Sequence, residues 1–138
     1  MADEATFSVE ILTPEGEVFN GEVTRLSTRT VIGTIGVLAN HVPVLAGLKP
    51  TKLTLYVPDS EPVEYAQAHG TFQVFANQAE ILVEEAIPVD SLDVASLEAQ
   101  LEDAQARLGD KDAGEGTRAI AEKDLERVET FLEIARGS

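Results

Sequence analysis

Short runs of alternating apolar and polar side chains fill the first 88 residues. Phe7, Val9 and Ile11 alternate with polar neighbours, a period of two that is typical of a strand with one buried face. Leu53–Val57 and Val63–Ala66 are predicted strands on either side of a Pro-Asp-Ser turn. Roughly seven to ten such strands at close spacing indicate an antiparallel β-sandwich or a flattened barrel.

Turn residues punctuate these runs and predict where the strands reverse. Pro14 and Gly16 predict a turn after the first strand, because proline fixes one corner and glycine tolerates positive φ. Asn20-Gly21 is a strong signal for a two-residue hairpin turn. Asn77-Gln78 is predicted to join the last two strands of the region.

Residues 89–138 contain no proline and follow a helical period instead. A first helix is predicted to open at Asp90-Ser91, where either side chain can cap the free amides of the first turn, and a second near Thr117. Two narrow apolar stripes joined by a short glycine-rich loop predict an antiparallel helical hairpin. The stripes are Leu97, Leu101, Ala104 and Leu108, and then Ala121, Leu125, Val128, Leu132 and Ala135.

The change of pattern at Pro88 predicts an α+β protein with two domains. Residues 1–88 form an antiparallel β-sandwich, and residues 89–138 form a helix-loop-helix arm. Because the stripes are thin and rich in alanine, burial between two helices stabilises the arm only modestly. We therefore expect the arm to pack on the sandwich in the resting state, and an arm that docks in more than one place is the alternative.

Charge and composition exclude several classes of function. The chain has 138 residues, with 10 lysines and arginines against 25 acidic residues, so its formal net charge is -15. Such a polyanion is repelled by nucleic acid and by anionic lipid. There is no cysteine, and no apolar run is long enough to span a membrane. Met1–Glu4 lack the basic and apolar character of a secretory signal.

No catalytic or metal-binding set is apparent in the sequence. His41 and His69 are the only histidines, and they lie 28 positions apart without carboxylates at ligand spacing. Gly33-x-x-Gly36 lacks the lysine and the following helix of a phosphate-binding loop. We expect neither a catalytic residue nor a metal site, and the chain is predicted not to be an enzyme.

The run Gly33–Pro50, GTIGVLANHVPVLAGLKP, is the most specific part of the sequence. It resembles the epsilon subunit of F-type ATP synthase, called delta in mitochondria, in which a Gly-x-x-Gly turn leads to Gly-His-x-Pro and then to a Lys-Pro corner. Phe7–Phe19, Gly70–Val74 and Asn77–Ala86 resemble further strands of that family. A sandwich followed by a helical hairpin is also the family's plan.

The resemblance implies a non-catalytic subunit of the central stalk. Its partners would be the gamma subunit and the c-ring, with the arm able to reach the alpha and beta subunits and to restrain ATP hydrolysis. The protein would be peripheral, on the cytoplasmic face of the bacterial plasma membrane, with no direct insertion into lipid. Its work would be mechanical coupling of the rotating ring to gamma.

The resemblance also suggests contact residues, although each segment could equally be an internal turn or a core strand. The loop Thr28–Gly36 is the candidate for the c-ring contact, through Arg29, Thr30, Val31, Ile32, Gly33, Thr34, Ile35 and Gly36. The next segment is the candidate for the gamma contact, through Leu38, His41, Pro43, Val44 and Leu45. The candidate cations of the arm are Arg118, Lys123, Arg127 and Arg136.

The sequence departs from the family at two informative positions. Asn40 stands where the family has glycine, and asparagine tolerates the positive φ that such a turn needs. Ser96 stands where ATP-binding members have arginine at the start of the first helix. We therefore expect no ATP in the hairpin and no other cofactor.

Two functions from other classes compete with the stalk subunit. One is a free-standing β-sandwich that binds a protein and dimerises through a helical tail. The other is an enzyme whose site the sequence does not reveal. Co-purification with gamma and the c-ring favours the stalk subunit, whereas turnover abolished by His41→Ala favours the enzyme.

Overall fold

The computed structural model describes residues 5–137. Its contacts divide the chain into two compact units, with the division between Pro88 and Val89. The first unit is built from strands and the second from two helices, which confirms the α+β fold class. The prediction made for Met1–Glu4 lies outside the described residues.

Ten strands make up the first unit as a single sheet that folds over on itself. The strands are β1 Phe7–Thr13, β2 Gly16–Val23, β3 Arg25–Thr30, β4 Gly33–Leu38, β5 Val44–Leu48, β6 Thr51–Tyr56, β7 Val63–Gln67, β8 Gly70–Phe75, β9 Gln78–Val83 and β10 Ala86–Pro88. Their order in the sheet is β10-β7-β6-β3-β5-β8-β9-β1-β2, and β4 pairs with β3 outside this path. A single residue pair, Thr30 with Leu48, joins β3 to β5 between the two halves of the sheet.

The two halves of the sheet enclose one hydrophobic core. Inward side chains alternate with outward ones as the period of two predicts, so that Phe7, Val9 and Ile11 of β1 are all buried. Facing side chains come from the other half, including Leu53 and Leu55 of β6. The sandwich is therefore held by contacts between residues far apart in the sequence.

A buried polar network interrupts this core between β3 and β7. Gln67 is fully buried, and its amide nitrogen donates to the carbonyl of Lys49 at 2.8 Å. The hydroxyl of Thr28 donates to the amide oxygen of Gln67 at 2.6 Å. Because each of these polar groups has a partner, the network fixes the register without the cost of an unpaired buried group.

The sheet is not wholly antiparallel, which corrects one detail of the prediction. β1 runs parallel to β9, from Ser8 opposite Gln78 to Leu12 opposite Leu82. Asn77 anchors the start of this pair, since its side chain donates to the Thr6 carbonyl at 2.9 Å. The pattern of one strand cannot show which distant strand it joins, so the sequence did not reveal this pairing.

Two of the four predicted turns differ from those in the structure, whereas the Pro-Asp-Ser turn is found as expected, with Asp59 at φ 58°. The first is as expected, with Gly16 at φ +125° after Pro14. Asn20-Gly21 is not a turn but lies inside β2, because pairing with β1 continues through it. The last turn falls one residue earlier than predicted, at Ala76-Asn77, whose φ angles are 52° and 62°.

The second unit is an antiparallel pair of helices, α1 Val94–Gly109 and α2 Glu115–Ala135, preceded by a 3-10 turn at Val89–Ser91. Asp93, rather than Asp90 or Ser91, caps α1, because its carboxylate accepts from the Ser96 amide at 3.2 Å. Neither described helix has the length and apolar character needed to cross a membrane. The buried seam is Leu97 and Ala104 against Ala121, Val128, Phe131 and Leu132.

Candidate functional site

The segment predicted to contact the c-ring is a β-hairpin rather than a loop. β3 and β4 pair from Arg25 opposite Leu38 to Thr30 opposite Gly33, and Val31-Ile32 form the tip. The prediction of a loop over Thr28–Gly36 was wrong, because these residues continue the alternation of two paired strands. Of the predicted contact residues, Thr30 is buried and Ile35 is half-buried against the core.

The tip of this hairpin has a fixed backbone and exposed apolar side chains. The Thr30 hydroxyl donates to the Gly33 carbonyl at 2.9 Å and accepts from the Ile32 amide at 3.2 Å. The Val31 amide donates to the Gly47 carbonyl of β5 at 2.9 Å. Ile32 is nevertheless 92% exposed and Val31 is 58% exposed. The tip therefore presents apolar surface on a rigid support, as a contact surface requires.

The segment predicted to contact gamma leaves β4, turns, and enters β5. Leu38 and Leu45 are exposed, with Leu45 at 78% of its full surface. Pro43 is also exposed, whereas His41 and Val44 are half-buried. Asn40 has φ 62°, which confirms that asparagine supplies the positive φ expected there. The backbone amide of Asn40 donates to the side-chain oxygen of Asn77 at 2.7 Å.

One exposed apolar residue within this segment and one beside it were not predicted from the sequence. Val42 is 68% exposed, and Phe75 at the end of β8 is 62% exposed. β8 pairs with β5, with Val44 opposite Val74 and Leu45 opposite Gln73. The pairing of two distant strands thus adds Phe75 to the surface that Leu45 belongs to, and no local pattern reports it.

Three of the four predicted cations of the arm bond to partners within the helical hairpin itself. Arg118 donates to the Asp110 carbonyl at 2.9 Å, and Arg127 donates to the Gln100 amide oxygen at 3.1 Å. Arg136 forms an exposed ion pair with Glu98 at 2.8 Å. Lys123 also has an interaction partner.

Arg107, which the sequence analysis did not single out, links the two helices. Its guanidinium bonds to Asp124 of α2 at 2.8 Å and to Asp103 of its own helix at 2.9 Å. The hydrogen bond to Asp124 is the main reason that the pKa of Arg107 lies above its usual value. Charge on this arm therefore serves its own folding in this conformation.

Ser96 stands where ATP-binding members of the resembled family have arginine. In this chain it takes part in the N-terminal cap of α1. The Ser96 amide donates to Asp93, and the Ser96 hydroxyl accepts from Gln100 at 3.3 Å. Among residues 5–137, no group of three acidic or histidine side chains is arranged to hold a metal ion.

The sequence of the sandwich matches that of a known domain. Residues 6–89 match the ATP synthase delta/epsilon chain beta-sandwich domain. The chain belongs to this delta/epsilon family. The resemblance drawn from the Gly33–Pro50 run is therefore confirmed.

Relatives extend the match from the sandwich of this delta/epsilon chain to its hairpin. The ATP synthase epsilon chain of Persephonella marina is 37% identical over 134 residues, which cover 94% of this chain and 96% of that one. The epsilon chain of a Sulfurihydrogenibium species is 31% identical, with the same shares covered. A chain in the cryo-EM structure of Euglena gracilis mitochondrial ATP synthase (OSCP/F1/c-ring) superposes with a TM-score of 0.78 and 25% identity, covering 98% of this chain and 84% of that one.

Proposed function

We propose that this chain is a non-catalytic central-stalk subunit of an F-type ATP synthase, which couples the c-ring to gamma. The observation that carries the proposal is the match to epsilon chains over nearly the full length of both sequences. The matched mitochondrial structure contains F1 and the c-ring, the assembly in which such a subunit acts. The protein would be peripheral, on the cytoplasmic face of a bacterial plasma membrane.

Two apolar surfaces of the sandwich support a role between two partners. The tip of the β3–β4 hairpin, with Ile32 at its end, is the proposed contact with the c-ring. The surface of Leu38, Leu45 and Phe75 is the proposed contact with gamma. Exposed apolar side chains held on paired strands suit a joint that transmits torque, because the support resists bending and the contact excludes water.

Charge placed on each surface separates the two contacts. We expect Leu45→Asp to abolish co-purification of gamma with the tagged chain from native membranes. Ile32→Asp is expected to retain gamma and to weaken the association with the c-ring, measured as lower ATP-driven proton pumping. Ser60→Asp adds the same charge in an exposed turn outside both surfaces and is the control. If both variants behave like the control, the assignment of these surfaces is wrong.

The hairpin is the proposed regulatory arm, able to reach alpha and beta subunits. Deleting the residues after Pro88 is expected to leave assembly and ATP synthesis largely intact and to change ATP hydrolysis. Loss of assembly on deletion would contradict an arm with a purely regulatory role. A closed pair of helices tied by Arg107 is consistent with a unit that can be removed without opening the sandwich core.

We also propose that the hairpin does not bind ATP, since Ser96 supplies no positive charge for phosphate. Titration calorimetry with the isolated chain is expected to show no binding in the micromolar range. Ser96→Arg tests the reason, because it restores the residue type found in ATP-binding members. Binding by the unaltered chain would overturn the proposal.

A further inference from the structure

A cleft opens at one end of the sheet, where the parallel strands β1 and β9 both end and β8 begins. Its volume is about 330 Å³, and its lining is mainly apolar. Leu12, Pro14, Leu82 and Val83 line it together with His69. None of these residues belongs to the surfaces proposed above for the c-ring or gamma.

Two leucines form an apolar pair on the outer face of the sheet at this cleft. Leu12 stands opposite Leu82 in the register of β1 and β9. Leu82 is 45% exposed, whereas its neighbours Ile81 and Val83 point into the core and are buried. An outward leucine at this place contributes nothing to the core, but it offers surface for another apolar side chain.

Carboxylates flank this apolar pair on both sides. One step along the same face, Glu10 stands directly opposite Glu80, an arrangement that is unfavourable for like charges unless a cation stands near. A second cleft of about 380 Å³ lies on the side of the leucine pair away from Glu10 and Glu80. It shares Thr13 and Glu84 with the first cleft and is also lined by Glu15 and Glu17.

The charge of the sandwich is strongly divided between its two halves. Residues 5–23 and 70–85, which form β1, β2, β8 and β9 and the two positions after β9, contain seven glutamates and neither lysine nor arginine. All four basic residues of the sandwich are found between positions 25 and 52. The field at the cleft is therefore negative and favours a cationic partner.

We propose that this cleft docks a segment of a partner protein in which an apolar side chain is flanked by lysines or arginines. The apolar side chain covers the Leu12–Leu82 pair, and the flanking cations reach Glu10 and Glu80 on one side and Glu15 on the other. Two residues of an extended segment span about 6.6 Å, which matches the step from the leucine pair to the Glu10–Glu80 pair. The apolar contact excludes water and so strengthens the charge pairs beside it.

The test uses the full chain labelled with ¹⁵N and the synthetic peptide acetyl-KKLLKK-amide as the probe. Amide shifts are expected to centre on Leu12, His69 and Leu82. Leu82→Ser is expected to weaken binding by about tenfold through loss of the apolar contact. Ile120→Ser, which removes an exposed apolar side chain of α2 that belongs neither to the cleft nor to either surface proposed above, is the matched control and is expected to bind as the unaltered chain does.

Three results would overturn the docking proposal. Equal binding of the peptide KKSSKK, or no effect of Leu82→Ser, would mean a diffuse attraction of cations to an acidic surface. Amide shifts spread over the helical hairpin as well as the cleft would also indicate a diffuse attraction of cations. Concentration-dependent shifts at Leu82 without peptide would instead assign the cleft to a second copy of this chain. None of these results bears on membership of the stalk, which co-purification tests separately.

Discussion

The sandwich and the hairpin of this protein are held together in different ways. The sandwich encloses a core shared by strands from both ends of its sequence, with buried aromatic side chains such as Phe7 and Phe72. The hairpin has a seam of few buried residues, and surface pairs such as Arg136 with Glu98 add to it. Exposed pairs contribute little and are screened by salt, so the hairpin depends on very few side chains.

Because they are stabilised differently, the two units need not respond alike to the same change. Stability is distributed unevenly in proteins, and units with few buried contacts open first. The proposed coupling joint needs a rigid unit, and the proposed regulatory arm needs a unit that can rearrange.

Truncating one buried phenylalanine in each unit gives the largest effect. Phe72→Ala and Phe131→Ala both remove a fully buried ring, at a cost of about 3–5 kcal/mol. We expect Phe131→Ala to abolish amide-exchange protection in α1 and α2 while that of the sandwich persists. Phe72→Ala is expected to lower protection across all strands at once. Loss of protection in both units from Phe131→Ala would mean that the sandwich and the hairpin unfold together.

Adding one methyl group at Gly70 is expected to destabilise the sandwich by roughly 3 kcal/mol. A Cβ there would lie 2.0 Å from the Leu82 carbonyl oxygen and 2.7 Å from the Val83 Cα, so β8 and β9 must separate. Gly36→Ala is the control, because its Cβ would meet nothing closer than 3.9 Å. Urea unfolding monitored by strand signals measures both variants, and equal midpoints would contradict the steric argument.

Loss of the cap of α1 is expected to weaken the helical hairpin alone. Asp93→Ala is expected to destabilise α1 by about 1 kcal/mol, since the Ser96 amide loses its acceptor. Ser91→Ala serves as the control, because Ser91 lies in the 3-10 turn before the helix. The measurement is helical circular dichroism during thermal unfolding. A larger effect of Ser91→Ala would mean that Ser91, as predicted from the sequence, caps the helix in place of Asp93.

The smallest expected effect is a pH dependence that belongs to the sandwich alone. Burial raises the pKa of Tyr65 above 10.0, since the phenolate is poorly solvated there. The stabilisation is fully present below the unfolded pKa near 10.0 and is lost as pH rises through the folded value. Tyr65→Phe should lessen the fall in strand stability above pH 10, relative to the unaltered chain. An unchanged profile would mean that other groups cause the fall.

The pattern of apolar and polar residues predicted well which strands and helices form, but not where each of them begins and ends. Phe7, Val9 and Ile11 alternate because they face the core, so the strand could be read directly. Asn20-Gly21 failed as a turn signal because pairing with β1 overrides the local preference for a turn. The first helix began later than predicted because several residues near its start can act as caps, and tertiary context chooses among them.

Non-local pairing explains what was missing from the candidate site. The exposed leucines at positions 38 and 45 belonged to the recognised motif, whereas Phe75 joins them only through the pairing of β5 with β8. The seven glutamates of the acidic half are visible in the sequence. Their concentration on one half of the sheet required the pairing of β1 with β9, which no period reveals.

The parallel pair of β1 and β9 also has a consequence for how the protein is made. Ser8 cannot pair until Gln78 has been synthesised, so the β1–β2 hairpin leaves the ribosome long before β9 does. Until β9 arrives, one edge of β1 has no strand to pair with its backbone groups, and closing so long a loop is slow. The nascent sandwich is therefore most exposed to aggregation just before its last strands leave the ribosome.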